Sequence, residues 1–129
     1  MSLAPTTLAA VAAGGALGAV LRHAATSASA RAFPDFPIGT MAVNALGSLA
    51  MGLAAWHLLR RPPEPSALAP FAMTGVLGGF TTFSAYSLDA VRLWEAGRAG
   101  AAALYALGSV ALALAALVAG LALGRSLSA

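Results

Sequence analysis

The sequence contains no cysteine and no lysine, and only 9% of its 129 residues are charged. Without cysteine the chain forms no disulfide and has no thiol chemistry, and two histidines alone do not complete a structural zinc site. The net charge is only +3, and the seven arginines are scattered rather than gathered into the basic face of a nucleic-acid-binding protein. Nucleic acid is therefore not expected as a partner.

Apolar residues are abundant instead and make up 60% of the chain, whereas soluble domains contain about 45–50%. A soluble domain of this size could not bury so much apolar surface. Four runs without charge are each long enough to cross a lipid bilayer, which takes roughly 20 helical residues. The sequence therefore predicts an all-α integral membrane protein with a single domain, residues 1–129, and four transmembrane helices at about 3–25, 38–59, 67–90 and 99–124.

Short connections join the predicted spans. Prolines mark the first two connections, at 34–37 and 62–65, where helices are expected to stop, and residues 95–98 mark the third. The apolar N-terminal stretch lacks the positively charged start of a cleaved signal peptide. We therefore interpret it as a retained first helix.

The arginines give almost no orientation signal. With four spans, Arg60, Arg61 and Arg125 lie on one side of the membrane, and four arginines lie on the other side, at positions 22, 31, 92 and 98. An excess of arginine and lysine normally marks the cytoplasmic side. A chain balanced in this way is compatible with dual insertion and an antiparallel dimer, or with one orientation set by the insertion machinery.

Small residues recur at four-residue spacing in several spans. Gly14 and Gly18 form one such pair, Ser48 and Gly52 a second, and a third pair lies at positions 120 and 124. This spacing lets helix backbones approach closely in lipid. It predicts tight helix packing, either within one chain or between chains.

None of the predicted spans carries an acidic residue in its middle. Proton-coupled exporters normally need an intramembrane carboxylate, and the nearest one, Asp89, lies at the predicted end of the third span. This absence favours a passive pathway over a small four-helix proton-coupled exporter of cations or drugs, which is the alternative. A structural membrane subunit without transport activity is a third hypothesis.

Polar residues follow one face of the second span. Thr40, Asn44 and Ser48 recur every four residues, and on the fourth span Tyr105 and Ser109 have the same spacing and are expected to face the same track. A buried amide must satisfy both donors and acceptors. Asn44 therefore indicates either a series of donors for an ion or hydrogen bonds between helices, and the residues alone leave both interpretations open.

The third span contains the strongest local signal. Adjacent glycines at 78 and 79 precede Thr81 and Thr82, which makes a poor helix centre. Because irregular backbone at this depth must be surrounded by protein or water, we predict a helix break within residues 78–84 rather than a continuous, glycine-packed helix. Phe83 and Tyr86 follow the break, and their rings have positive edges that can face an anion, although ordinary packing is the simpler interpretation of two aromatics.

Three blocks of sequence, residues 14–23, 37–48 and 78–84, occur in order and each in its expected span. Through these blocks the chain resembles the Fluc/CrcB family of fluoride channels along nearly its whole length. The resemblance implies an antiparallel, dual-topology homodimer with two narrow pores in the cell (inner or plasma) membrane. It also implies passive export of cytoplasmic fluoride down its electrochemical gradient, which gives fluoride resistance, with no organic cofactor.

The resemblance also implies roles for particular residues. Asn44 would lie along the pore, and Phe83 and Tyr86 would supply the two pore aromatics, although the second is usually phenylalanine in the family. The implied fluoride pathway consists of Asn44, Phe83, Tyr86, Thr40, Ser48, Tyr105 and Ser109.

A structural sodium ion at the dimer centre is the one metal that the resemblance implies. Main-chain carbonyls of Gly78 and Thr81 would bind it. The polar track of the fourth span would continue at position 113, where this chain has Ala113, so that part of the track is missing. Arg22 matches the family arginine after the first block and is expected to be interfacial and structural.

Overall fold

The computed structural model describes residues 3–59 and 67–128, and the regular elements of this part are all helices. In chain order they are α1 (Pro5–Ala32), α2 (Ile38–Leu59), a π-helix (Pro70–Leu77) that continues into the short α3 (Gly78–Phe80), α4 (Phe83–Glu95) and α5 (Ala99–Ser126). The predicted proline connection at 62–65 and the arginines at 60 and 61 lie outside the described residues.

Helices α1, α2 and α5 are each long and apolar enough to cross a membrane. Large apolar side chains, such as Leu46 and Leu107, are exposed on their outer surfaces. In contrast, the buried apolar side chains of the described residues are only Val43, Leu93, Ala102 and Tyr105. An apolar exterior of this extent is unusual for a water-soluble monomer, and it confirms the prediction of an all-α membrane protein.

Helix α1 packs on the π-helix through glycines. A Cβ atom on Gly18 would overlap the carbonyl oxygen of Val76, and a Cβ atom on Gly75 would lie 2.9 Å from the Cα of Gly14. Only glycine permits this approach, because real side chains would collide with backbone atoms. The spacing of Gly14 and Gly18 thus marks a contact within the chain, one of the two alternatives that the sequence left open.

Helices α2 and α5 make the most extensive contact between helices of the described residues. Gly52 faces the backbone of α5, and Gly120 faces the carbonyl oxygen of Leu49. One turn later, Gly124 packs against the indole of Trp56. Small residues therefore let α2 and α5 approach each other closely, as they do for α1 and the π-helix.

The predicted break in the third span is present at Thr81 and Thr82. Both residues have extended backbone, with φ/ψ of −79°/158° and −154°/123°. The side chain of Thr82 then caps α4, because its Oγ1 accepts a hydrogen bond of 3.1 Å from the amide of Ala85. The break thus separates the π-helix and α3 from α4.

Two helix ends lie beyond their predicted positions. Helix α1 continues to Ala32, so Arg22 lies well inside it. Alanine has the highest helix propensity, and the segment after Arg22 is rich in alanine. Helix α4 continues to Glu95, so Asp89 lies inside this helix, and the end of the membrane-spanning part near residue 90 stays a prediction. The chain turns after α4 at Gly97, whose φ of 73° is readily adopted only by glycine.

Candidate functional site

An open cleft of about 490 Å³ lies between α2, the broken third span and α5. It is lined by the helix break, by Asn44 and Ser48 on α2, by the two aromatics and by one face of α5. The residues from the sequence-based prediction that line this cleft are Asn44, Ser48, Gly78, Thr81, Phe83, Tyr86 and Ser109. Residues that are distant in sequence therefore meet at one place in the membrane fold.

Asn44 binds the break through both ends of its amide. Its Nδ2 donates to the carbonyl oxygen of Thr82 at 3.0 Å, and its Oδ1 accepts from the amide of Thr82 at 2.8 Å. This is the pairing that a neighbouring β-strand would make, and it satisfies backbone groups that the helix break leaves free. Asn44 is also the only residue in the chain with an amide side chain. Of the two interpretations of Asn44, interhelical hydrogen bonding is therefore present, and the side chain still lines the cleft.

The two aromatics that follow the break differ in their surroundings. The ring centroids of Phe83 and Tyr86 are 5.2 Å apart, at an angle of 42°. Phe83 is 76% exposed, whereas Tyr86 is partly buried, packs on Tyr105 at 5.6 Å and donates its hydroxyl to the carbonyl oxygen of Ala106 at 3.1 Å. One ring is therefore free on its outer side, and the other is held against α5.

Helix α5 contributes an unsatisfied hydroxyl to the cleft. Ser109 is buried, with 5% of its surface exposed, and its Oγ has no hydrogen-bond partner among the described residues. A buried hydroxyl without a partner is costly. Ala113 lines the same cleft one turn later, so the cleft wall becomes apolar where the predicted track would have continued.

Thr40 and Tyr105 do not line this cleft but meet at Asp89. The Oδ2 of Asp89 accepts a hydrogen bond from Thr40 at 2.8 Å and one from Tyr105 at 3.3 Å. Tyr105 is fully buried, and the ring of Phe36 packs edge-on against it at 5.7 Å. Sequence reasoning missed Asp89 because it assigned the residue to a span end. The helical spacing of Asp89 from Tyr86 and Thr82 was the signal that could have placed it on their face.

A second pocket, of about 390 Å³, adjoins the cleft at Thr82, which lines both. Thr40 and Asp89 line this pocket together with Arg22 and Arg92, so one acidic and two basic residues contribute to its wall. The structure thus places Arg22 beside the polar residues rather than apart from them. The interfacial, structural role of Arg22 stays a prediction.

The break also provides oxygen ligands. In a continuous helix the amide of Thr82 would donate to the carbonyl of Gly78, but it donates to Asn44 instead. The carbonyl of Gly78 is therefore free of its usual helical donor, and Thr81, three residues later, has extended backbone. Neutral oxygens of this kind suit a hard monovalent cation, so the donor set fits the predicted sodium ion.

The family model for CrcB-like proteins, "Camphor Resistance (CrcB)", matches residues 9–121. The chain belongs to the CrcB family. Within this family it is 53% identical over 117 residues to the "Fluoride-specific ion channel FluC" of Paracoccus denitrificans, covering 91% of this chain and 93% of that relative. It is 54% identical over 116 residues to "Fluoride-specific ion channel FluC 2" of Nitrobacter hamburgensis, covering 89% and 94%. It is 50% identical over 121 residues to the FluC of Agrobacterium fabrum, covering 93% and 97%.

Membership of the CrcB family and the three apolar helices together establish a multi-pass protein of the cell membrane. The matched range includes all three sequence blocks from which the resemblance was inferred. The cleft is thus part of the segment shared with the family.

Proposed function

We propose that this CrcB protein is a passive, fluoride-selective ion channel that exports cytoplasmic fluoride down its electrochemical gradient and so confers fluoride resistance. The observation that carries the proposal is the cleft at the helix break, lined by neutral donors and aromatic rings. Relatives that share half of its residues along nearly their whole length are named fluoride-specific ion channels. The chain is accordingly not an enzyme.

The chemistry of the cleft suits a small, strongly hydrated anion. Moving such an ion into a low-dielectric medium costs tens of kcal/mol, so the lining must replace its water. Ser109 has a hydroxyl without a partner, and the rings of Phe83 and Tyr86 have positive edges. These groups compensate for lost hydration, and because none of them is charged, the ion can also leave. A pathway of this kind needs no energy source beyond the fluoride gradient, which arises when neutral HF enters from acidic surroundings and dissociates in the cytoplasm.

We further propose that the functional unit is an antiparallel, dual-topology homodimer with two pores. The third span would then be the broken one, formed by the π-helix, α3 and α4, which gives four spans in each chain. The cleft is open in the single chain, and Phe83 is 76% exposed beside it. Polar residues such as Asn44 and Ser48 are costly against lipid, so a second copy would cover them and complete each pathway.

A structural sodium ion at the centre of this dimer is part of the proposal. The carbonyls of Gly78 and Thr81 from each chain would hold it. The ion would supply positive charge that fixes the two breaks against each other. Asn44 supports this arrangement because it takes the amide of Thr82 away from Gly78.

One observation favours a second candidate function, proton-coupled export. Asp89 lies inside α4 and its carboxylate is hydrogen-bonded to Thr40 and Tyr105. An exporter would use such a carboxylate to carry the proton. The two candidates differ in whether transport depends on a proton gradient.

Efflux from proteoliposomes tests the proposal. We expect fast fluoride release from vesicles loaded with potassium fluoride once valinomycin allows potassium to leave, and no release of chloride from matched vesicles. The requirement for valinomycin follows because the channel moves charge. Vesicles that contain well-folded protein and retain their fluoride under these conditions would reject the channel.

A further inference from the structure

The phenol of Tyr86 stands at the position of the second pore aromatic, where the hydroxyl group has two possible uses. It can donate to a passing anion, or it can hold the ring in place. A phenol carries only one O–H donor. In the structure that donor is directed to the main-chain carbonyl oxygen of Ala106 on α5, at 3.1 Å.

We infer that Tyr86 is a positioning residue whose hydroxyl fixes the ring against α5 and is not a ligand of the transported ion. This inference rests on the proposed function. Once the proton points at Ala106, the phenol oxygen offers only lone pairs to the cleft, and these repel an anion. The ion then meets the ring edge and the free hydroxyl of Ser109, which lines the same cleft.

The contacts of the ring support a fixed orientation. The ring of Phe83 packs on Tyr86 at a centroid distance of 5.2 Å, and the ring of the fully buried Tyr105 packs on it at 5.6 Å. Tyr105 is itself held by Asp89 and by the edge of Phe36. Tyr86 is therefore in contact with two other rings and held at its hydroxyl, whereas Phe83 is 76% exposed. Tyr86 therefore forms a fixed part of the cleft wall.

A fixed ring has a consequence for selectivity. A ring that cannot rotate keeps the width of the cleft constant, so a larger anion gains no room. One net hydrogen bond biases a conformation by about twofold to tenfold. Removing only the hydroxyl, in Tyr86→Phe, should therefore lower the ratio of fluoride to chloride efflux by about twofold to tenfold, mainly because chloride efflux rises.

Ultraviolet resonance Raman spectroscopy of the purified protein tests the assignment of the hydroxyl. The chain has two tyrosines, so the difference between wild type and Tyr86→Phe isolates the signal of Tyr86. The Tyr105→Phe variant retains Tyr86 as its only tyrosine and provides a check. The tyrosine doublet reports whether the phenol donates a hydrogen bond. We expect a donor signature that is the same in chloride and in saturating fluoride.

Two results would overturn the inference. One is a saturable change of the Tyr86 doublet on adding fluoride that chloride does not produce. The other is a Tyr86→Phe variant that loses fluoride efflux without passing more chloride, because that pattern indicates that the hydroxyl binds the ion and does not serve to hold the ring in place. Absence of fluoride efflux in the wild type counts against the proposed function instead. The Raman result then still decides whether the hydroxyl holds the ring of Tyr86 against α5.

Discussion

Replacing Asn44 with leucine is expected to reduce fluoride efflux by at least about 30-fold. The amide pairs with both the N–H and the carbonyl of Thr82, and leucine leaves both groups without these partners. Each unsatisfied group costs about 1–3 kcal/mol. The conformation of the break that Asn44 stabilises therefore loses at least about 2 kcal/mol relative to alternative conformations, which lowers its population, and with it the efflux, by a factor of roughly 30. The variant also removes an amide from the wall of the cleft.

The measurement is the initial rate of fluoride efflux per reconstituted protein, with size-exclusion chromatography to show that the assembly is unchanged. Leu46→Val is the matched control, because Leu46 lies on the same helix and is 60% exposed on its surface. We expect the control to conduct like the wild type. Undiminished efflux through an intact Asn44→Leu assembly would remove Asn44 from the pathway.

Adding a single methyl group at Gly18 is expected to destabilise the protein by about 3 kcal/mol or more. Overpacking a core typically costs about 1–3 kcal/mol, occasionally more. Here the new Cβ would overlap the carbonyl oxygen of Val76 and lie 2.8 Å from the amide nitrogen of Phe80. Both are backbone atoms, so no side-chain rotation relieves the clash, and α1 must move away from the π-helix.

Gly15→Ala is the control for this change. Gly15 lies on the same helix, and a Cβ built on it has nothing within 4 Å. Alanine favours a helix over glycine by about 1 kcal/mol, so this variant should be as stable as the wild type or slightly more stable. Thermal unfolding in detergent compares the two variants. Equal effects at Gly15 and Gly18 would show that close backbone packing of α1 is not what stabilises the fold.

Local chemistry made the main features of the fold predictable from sequence. Uncharged runs predicted α2 and α5 close to their observed bounds, and the glycines at 78 and 79 with the threonines after them predicted the break. These features depend on a few adjacent residues and on the cost of exposing backbone in lipid. The first span was predicted to end at about residue 25, shortly after the apolar run ends at Arg22, whereas the helix itself continues to Ala32.

The contacts that build the site were harder to predict from the sequence. Helical spacing placed Thr40, Asn44 and Ser48 on one face, but it could not show that Asn44 pairs with Thr82, which is 38 residues away. For the same reason the meeting of Thr40 with Asp89, 49 residues apart, was not predicted. The use of the Tyr86 hydroxyl depends on the distance between α4 and α5, which no pattern along the chain encodes.

In the proposed channel, fluoride crosses the membrane without coupling to protons, through a lining that is polar but carries no charge. The most direct test is the reversal potential of the current through the purified protein in a planar bilayer with a fluoride gradient. We expect a shift of about 59 mV for each tenfold change of the gradient, the value for a singly charged ion, and no change when a pH gradient is imposed. A reversal potential that follows the pH gradient would show that transport is coupled to protons and would reject the passive channel.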